Sequence, residues 1–225
     1  MSDLPTFSSI YDRACAHKGG PGPLEELLPV PRARDALLAL PDDRALSAMT
    51  QGVFSAGFVW KVVENMWPGF EQAFGGFEPP RVAFMSSADI DALALDKRIV
   101  RHRGKIAATR DNARMVVEVA ADHGSFGRFL AEWPEHDLVG LWTYLKREGS
   151  RLGGMTGPYL LRRLGLDTFL ITGDVSKALV QAGVVHKKPT GKGALAATQA
   201  AFVAWKSESG RSFAELSKVL ACSVD

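Results

Sequence analysis

Between Arg151 and Leu166 the chain sets glycines, arginines and leucines in an order that suits an anion. Gly153 and Gly154 can take backbone conformations closed to other residues and leave no side chain in the way. Met155, Thr156 and Gly157 follow at the start of a predicted helix whose apolar positions are Leu160, Leu161 and Leu164. Backbone N–H groups at such an N-terminus lack intrahelical partners and favour negative charge. Arg151, Arg162 and Arg163 add positive charge, and Leu152 ties the bend to a core. This combination fits the phosphate backbone of a nucleic acid, which positions a protein without reporting base sequence. A helix C-cap followed by a tight interhelical turn would use the same glycines, so the bend alone leaves both readings open.

The elements that must carry this bend are helical. Apolar residues recur at helical spacing and strand alternation is scarce, so the fold class is all-α with short loops. Phe7, Ile10, Tyr11 and Ala14 share one helical face before the breaker at Gly19–Pro23. Asp42 or Asp43 is expected to cap a helix through Leu46, Met49, Val53 and Phe54, interrupted at Gly57 and Phe58. A further helix starts at Trp60 and is expected to end at Pro68 and Gly69. Ser87 caps a segment with Ile90, and the longest amphipathic stretch runs from Gly104 to Ala121. Ser125 to Trp133 and Leu138 to Glu148 lead into the bend. Gly173 and Asp174 open a later helix, Lys192 to Ser209 forms another, and Ser212 with Glu215 reads as the capping box of the last.

The chain has 225 residues, 46% hydrophobic and 23% charged, with a formal net charge of +2. That is an ordinary globular composition, and the charge is too small to argue for nucleic acid by itself. Its distribution says more: Lys97, Arg98, Arg101, Arg103 and Lys105 form one basic cluster, and Lys146, Arg147, Arg151, Arg162 and Arg163 form another. Solvated helix faces would explain either cluster taken alone. Cys15 and Cys222 are the only cysteines, so no disulfide framework is implied. No apolar run is long enough to span a membrane and the start lacks a secretion signal, so a cytoplasmic protein is expected.

The run Gly154-Met155-Thr156-Gly157-Pro158-Tyr159, followed by Gly165-Leu166, resembles the hairpin of the helix-hairpin-helix DNA glycosylase superfamily, closest to its DNA-3-methyladenine glycosylase I family. Upstream, Gln51-Gly52-Val53-Phe54-Ser55-Ala56-Gly57-Phe58-Val59-Trp60 resembles the family's base-pocket segment. Ile99-Val100-Arg101-His102-Arg103-Gly104-Lys105-Ile106 with Asn112-Ala113 resembles its next signature. The matches fall in family order over about residues 46 to 182. The resemblance implies a helical glycosylase-like core at 41–185, between an N-terminal helical extension at 1–40 and C-terminal helices at 186–225. It implies double-stranded DNA containing a damaged base as partner, a monomer, and a monofunctional N-glycosylase acting on an alkylated purine. A non-catalytic or altered-specificity DNA-binding protein on the same scaffold is the alternative.

Each site assignment follows from that resemblance. Gln51 stands where the family usually has a glutamate that hydrogen-bonds the extruded base, and a glutamine keeps a donor and an acceptor while losing the negative charge. Trp60 matches the residue that stacks on the base. Gly57 and Phe58 match residues lying against the gap left in the duplex. Core packing would account for the same aromatics. Gly154, Met155, Thr156, Gly157, Arg162 and Arg163 are expected to contact DNA. Asp174 is the nearest carboxylate for stabilising the sugar cation or activating water, with Thr172 as the alternative alignment and a helix N-cap as its plain role. Pro158 stands where bifunctional relatives carry a lysine nucleophile, so no Schiff-base chemistry is expected. The family's zinc ligands are not matched, and Cys15, His17, His186 and Cys222 lack a zinc-site spacing, so no metal or other cofactor is expected.

Overall fold

The computed structural model describes residues 4–30 and 34–225. Among them every regular element is helical and no strand occurs. The residues form two compact units that do not follow chain order.

The first unit takes in α1 (Phe7–Lys18), α2 (Pro21–Glu25), the segment Pro134–Gly140 and everything from Asp167 onward. That last part carries α12 (Gly173–Gln181), α13 (Lys192–Ser209) and α14 (Phe213–Cys222). Phe7, Ile10 and Ala14 are buried along α1, which packs on α13 and α14. Phe169 stacks on Phe202 at 4.3 Å, with Phe213 and Trp205 edge-on to the pair. The sequential division at residues 40 and 185 is therefore not how compactness groups the chain, because α1 and the C-terminal helices bury their apolar faces on each other.

The second unit holds α3 (Arg34–Leu38), α4 (Asp42–Ser55), α5 (Trp60–Ala73), α6 (Pro79–Ala83), α7 (Ser87–Leu93), α8 (Arg103–His123) and α9 (Phe126–Glu132). It continues through Leu141–Leu166, which contains most of α10 (Leu138–Glu148) and all of α11 (Thr156–Leu164). One apolar cluster joins Met49 and Val53 of α4 to Leu141, Leu145, Leu152, Leu160 and Leu161. A second joins Leu46 and Phe54 to Phe70, Phe74, Phe77 and Ile106. Helix α4 thus feeds both clusters, with α8 packed along it.

Several boundaries differ from expectation. The second helix starts inside the expected breaker, because Pro21 at its first position has its φ preset and no N–H to satisfy. Helix α5 does not end at Pro68 but runs through it to Ala73. Trp67, Phe70 and Phe77 stack at 4.9 Å and 5.6 Å, and Phe54 sits edge-on to Phe70 at 4.7 Å, so aromatic packing outweighs the lost hydrogen bond. Pro41, not Asp42 or Asp43, stands at the N-cap of α4. The Asp42 carboxylate instead accepts a hydrogen bond from Phe126 N–H at 2.8 Å, at the start of α9. Ser86 rather than Ser87 caps α7, while the capping box of Ser212 and Glu215 forms as expected.

Candidate functional site

The bend between α10 and α11 is held from behind by Asn112 on α8. Its side chain is fully buried, accepts from Ser150 N–H at 2.7 Å and donates to the Ser150 carbonyl at 3.1 Å. This exchange works as a single rung of ladder between a helix and the entry to the bend, and it fixes where the bend begins. Arg151 follows at φ 62° and Gly154 at φ 62°; the first is a conformation that a branched or bulky residue rarely takes. At Gly157 a Cβ would lie 2.8 Å from the Leu152 carbonyl oxygen, so only glycine lets α11 start this close to the bend. Met155 stands at the N-cap of α11 with no side-chain cap, and Gly154, Met155 and Thr156 are exposed or half-buried. The first backbone N–H groups of α11 therefore have no capping side chain.

Between α4 and α5 the chain turns through Ala56–Val59, with Gly57 at φ 78°. Lys105 braces this turn from below. Its side chain is buried, donates to the carbonyls of Phe54 at 3.1 Å and Ala56 at 2.7 Å, and lies 4.4 Å from the centre of the Phe58 ring. Burial pushes the Lys105 ammonium below its ordinary pKa, with the nearby Arg151 charge adding to the effect. The expected surface role of Lys105 is thus corrected: its charge is spent on two carbonyls that have no helical partner at the end of α4. The rest of its cluster is also partly neutralised, since Arg98 pairs with Asp96 at 2.7 Å and Arg103 with Asp91 at 2.6 Å.

These supports hold open a cleft of about 230 Å³ lined by both expected segments. From the α4–α5 corner come Gly52, Gly57, Phe58 and Trp60, and from the bend and α11 come Met155, Thr156, Tyr159 and Arg163. Trp60 is 49% exposed and Phe58 41%, so neither is a core residue. Their apolar surface is left facing solvent at the cleft, where a flat ligand would cover it. Gln51 is half-buried on α4 beside Gly52.

Arg163 is where the structure departs most from expectation. Expected with Arg162 to contact DNA, it instead lines the cleft. Its Nη1 donates to Gln51 Oε1, and its guanidinium stands 5.4 Å from the centre of the Trp60 ring. Thr156, Leu160 and Arg163 fall on one face of α11, and it is the seating of that face against α4 that brings Arg163 to Gln51. Arg162 is half-buried and is not among the lining residues.

Asp174 is not among the cleft residues and belongs to the other compact unit. It occupies the first turn of α12 with an exposed carboxylate 3.6 Å from Lys177. Thr172 caps that helix, its hydroxyl accepting from Val175 N–H at 3.2 Å, so the plain role considered for Asp174 falls to Thr172. Among the described residues no group of three or more His, Cys, Asp or Glu side chains could hold a metal ion. Cys222 is buried, and His17 faces Asp225 at 3.8 Å. Among the described residues no helix is long and apolar enough to cross a membrane.

Comparison with known proteins places this cleft in context. Residues 39–147 match the methyladenine glycosylase family. Over 81 residues the chain is 33% identical to DNA-3-methyladenine glycosylase 1 of Escherichia coli (strain K12), a match covering 36% of this chain and 43% of that protein. It is 30% identical over 84 residues to DNA-3-methyladenine glycosylase of Haemophilus influenzae, covering 37% and 45% respectively. The chain therefore spans less than half the length of these curated relatives. A crystal structure of a glutamate-to-glutamine mutant of 3-methyladenine DNA glycosylase I from Staphylococcus aureus aligns with a TM-score of 0.51 at 26% identity, covering 56% of this chain and 77% of that one.

Proposed function

We propose that the chain is a divergent member of the methyladenine glycosylase family, which its residues 39–147 match, and a monofunctional DNA N-glycosylase that removes an extruded, damaged purine. The observation that carries the reading is the cleft itself. A half-exposed tryptophan of the α4–α5 corner faces Met155, Thr156 and Arg163 of the bend and hairpin helix, and Gln51 of α4 accepts from that arginine, within one compact unit. The hairpin supplies backbone N–H groups and Arg151 for the phosphates of double-stranded DNA, which hold the duplex in register. A base turned out of the stack would lie on Trp60, and Phe58 on its braced turn would fill the gap behind it. Gln51 would hydrogen-bond the base edge.

Cleavage of the C1′–N9 bond leaves the electron pair on the base and a cationic sugar that water attacks. Asp174 is the carboxylate assigned to that cation by the resemblance, and its exposed position makes the assignment testable without disturbing the fold. Asp174→Asn should fold and bind duplex normally; unchanged base release would remove Asp174 from the chemistry.

The activity is tested by incubating the protein with DNA treated separately with a methylating agent and with nitrous acid, then resolving the free bases by chromatography. Release of a modified purine from either DNA is the expected result. Release of none, by protein that still binds duplex, would overturn the proposal.

A further inference from the structure

Resting on the glycosylase reading, we infer that Arg163 sets substrate class: it turns the cleft towards neutral purines with acceptor edges, such as 6-oxopurines, and away from cationic alkylpurines. Arginine carries only donors, so its bond to Gln51 must engage the amide oxygen. That leaves the Gln51 NH2 as the group offered to a ligand. Gln51 and Arg163 thus present mainly donors to a base lying on Trp60, the second lone pair of the Gln51 oxygen being the one acceptor the two side chains retain. A carbonyl oxygen or an unprotonated ring nitrogen satisfies such a surface, whereas a cationic base meets a like charge.

Among the described residues no carboxylate forms an ion pair with Arg163; its guanidinium lies over the Trp60 ring, so a base stacking on that ring meets the charge directly. A unit charge about 5 Å from another, at an effective dielectric of about 20, shifts binding by more than tenfold.

The chemistry of departure favours the same class. When the C1′–N9 bond breaks, a cationic alkylpurine leaves as a neutral molecule and needs little help from its pocket. A neutral purine receives the same electron pair and leaves as an anion. A guanidinium beside the stacked base is attracted to that charge more strongly as the bond breaks than before, which lowers the barrier. Water then adds through oxygen to C1′, and the proton it loses ends on the departed base.

Arg163 also changes what a glutamate at position 51 would mean. Gln51→Glu would pair with Arg163 and give a neutral pocket, not an anionic one. Only Gln51→Glu together with Arg163→Gln leaves a net negative charge against the base.

The test compares release of hypoxanthine from a duplex carrying a single deoxyinosine with release of 3-methyladenine from methylated DNA. The rates are measured for the wild type, Arg163→Gln, Arg163→Lys, Gln51→Glu and the double variant. The ratio of hypoxanthine to 3-methyladenine release should fall by at least about tenfold in Arg163→Gln, stay near the wild-type value in Arg163→Lys, and be lowest in the double variant. Should Arg163→Gln fail to fold, Gln51→Glu carries the test, because pairing with Arg163 must by itself lower hypoxanthine release. An unchanged ratio in folded Arg163→Gln, or undiminished hypoxanthine release by Gln51→Glu, overturns the inference while leaving the glycosylase reading intact. Release of neither base while another modified purine is released overturns this inference alone; release of no modified purine from methylated or nitrous-acid-treated DNA overturns the glycosylase reading, and this inference with it.

Discussion

Replacing Asn112 by alanine should unseat the hairpin without touching it. The side chain is fully buried and exchanges two hydrogen bonds with the backbone of Ser150, at 2.7 Å and 3.1 Å. Each such bond contributes roughly 1 kcal/mol net, and each backbone group left unpaired and out of water costs a further 1–3 kcal/mol. Ser150 is only half-buried, so water can reach part of what the alanine abandons. The expected loss is therefore about 2–4 kcal/mol, below the sum of the separate maxima. Urea unfolding followed by circular dichroism gives the loss. Amide hydrogen exchange across residues 149–157 shows whether the bend opens locally before the rest of its unit. Duplex affinity should fall as well, because the N–H groups of α11 are no longer held in register with the α4–α5 corner. Asn112→Asp keeps the acceptor for Ser150 N–H but sets a carboxylate against a carbonyl, and should be at least as costly. A loss below about 0.5 kcal/mol in Asn112→Ala, with exchange unchanged, would refute the anchoring role, since that is the scatter of an inconsequential surface change.

Trp60→Ala should reduce stability by less than about 1 kcal/mol because the ring is half-exposed, yet weaken recognition of a damaged base by roughly tenfold to a hundredfold; thermal unfolding and competition with intact duplex separate the two effects. Burial raises the pKa of the Glu71 carboxyl, but hydrogen bonds from Arg44, Ser47 and Trp67 outweigh it and the net shift is downward. The resulting stabilisation is present above the unfolded value near 4.5 and is lost as pH falls through the lowered folded value, so the acid side of a stability–pH curve should flatten in Glu71→Gln. Arg151→Gly should keep stability or raise it by up to about 1 kcal/mol by relieving the left-handed backbone. It should also lower the slope of log affinity against log salt by about one, because a phosphate contact is lost; an unchanged slope would remove Arg151 from the interface.

What could be read from the sequence was whatever depended on local chemistry. Helix α13 spans Lys192–Ser209 as its apolar spacing requires, and Ser212 with Glu215 caps α14 through their own side chains. The two halves of the cleft were also visible as separate segments, because each carries its own pattern. Long-range packing was not visible. Pro68 reads as a helix end unless Phe54, Phe70 and Phe77 are known to meet around Trp67. Lys105 reads as surface charge unless the end of α4 is known to present the Phe54 and Ala56 carbonyls to it. Arg162 and Arg163 look alike in sequence, and only the seating of α11 against α4 sends Arg163 to Gln51 and Trp60. Compactness was least legible of all, since nothing in residues 7–18 states that their buried face is covered by helices near residue 200.

The central claim is that one cleft both receives an extruded purine and permits its release. It is tested most directly with an end-labelled duplex carrying a single damaged purine, incubated with the protein and then treated with alkali. A strand broken at the lesion by the wild type, and greatly reduced in folded Trp60→Ala, is the predicted result. A duplex that is bound but stays intact under alkali would contradict it.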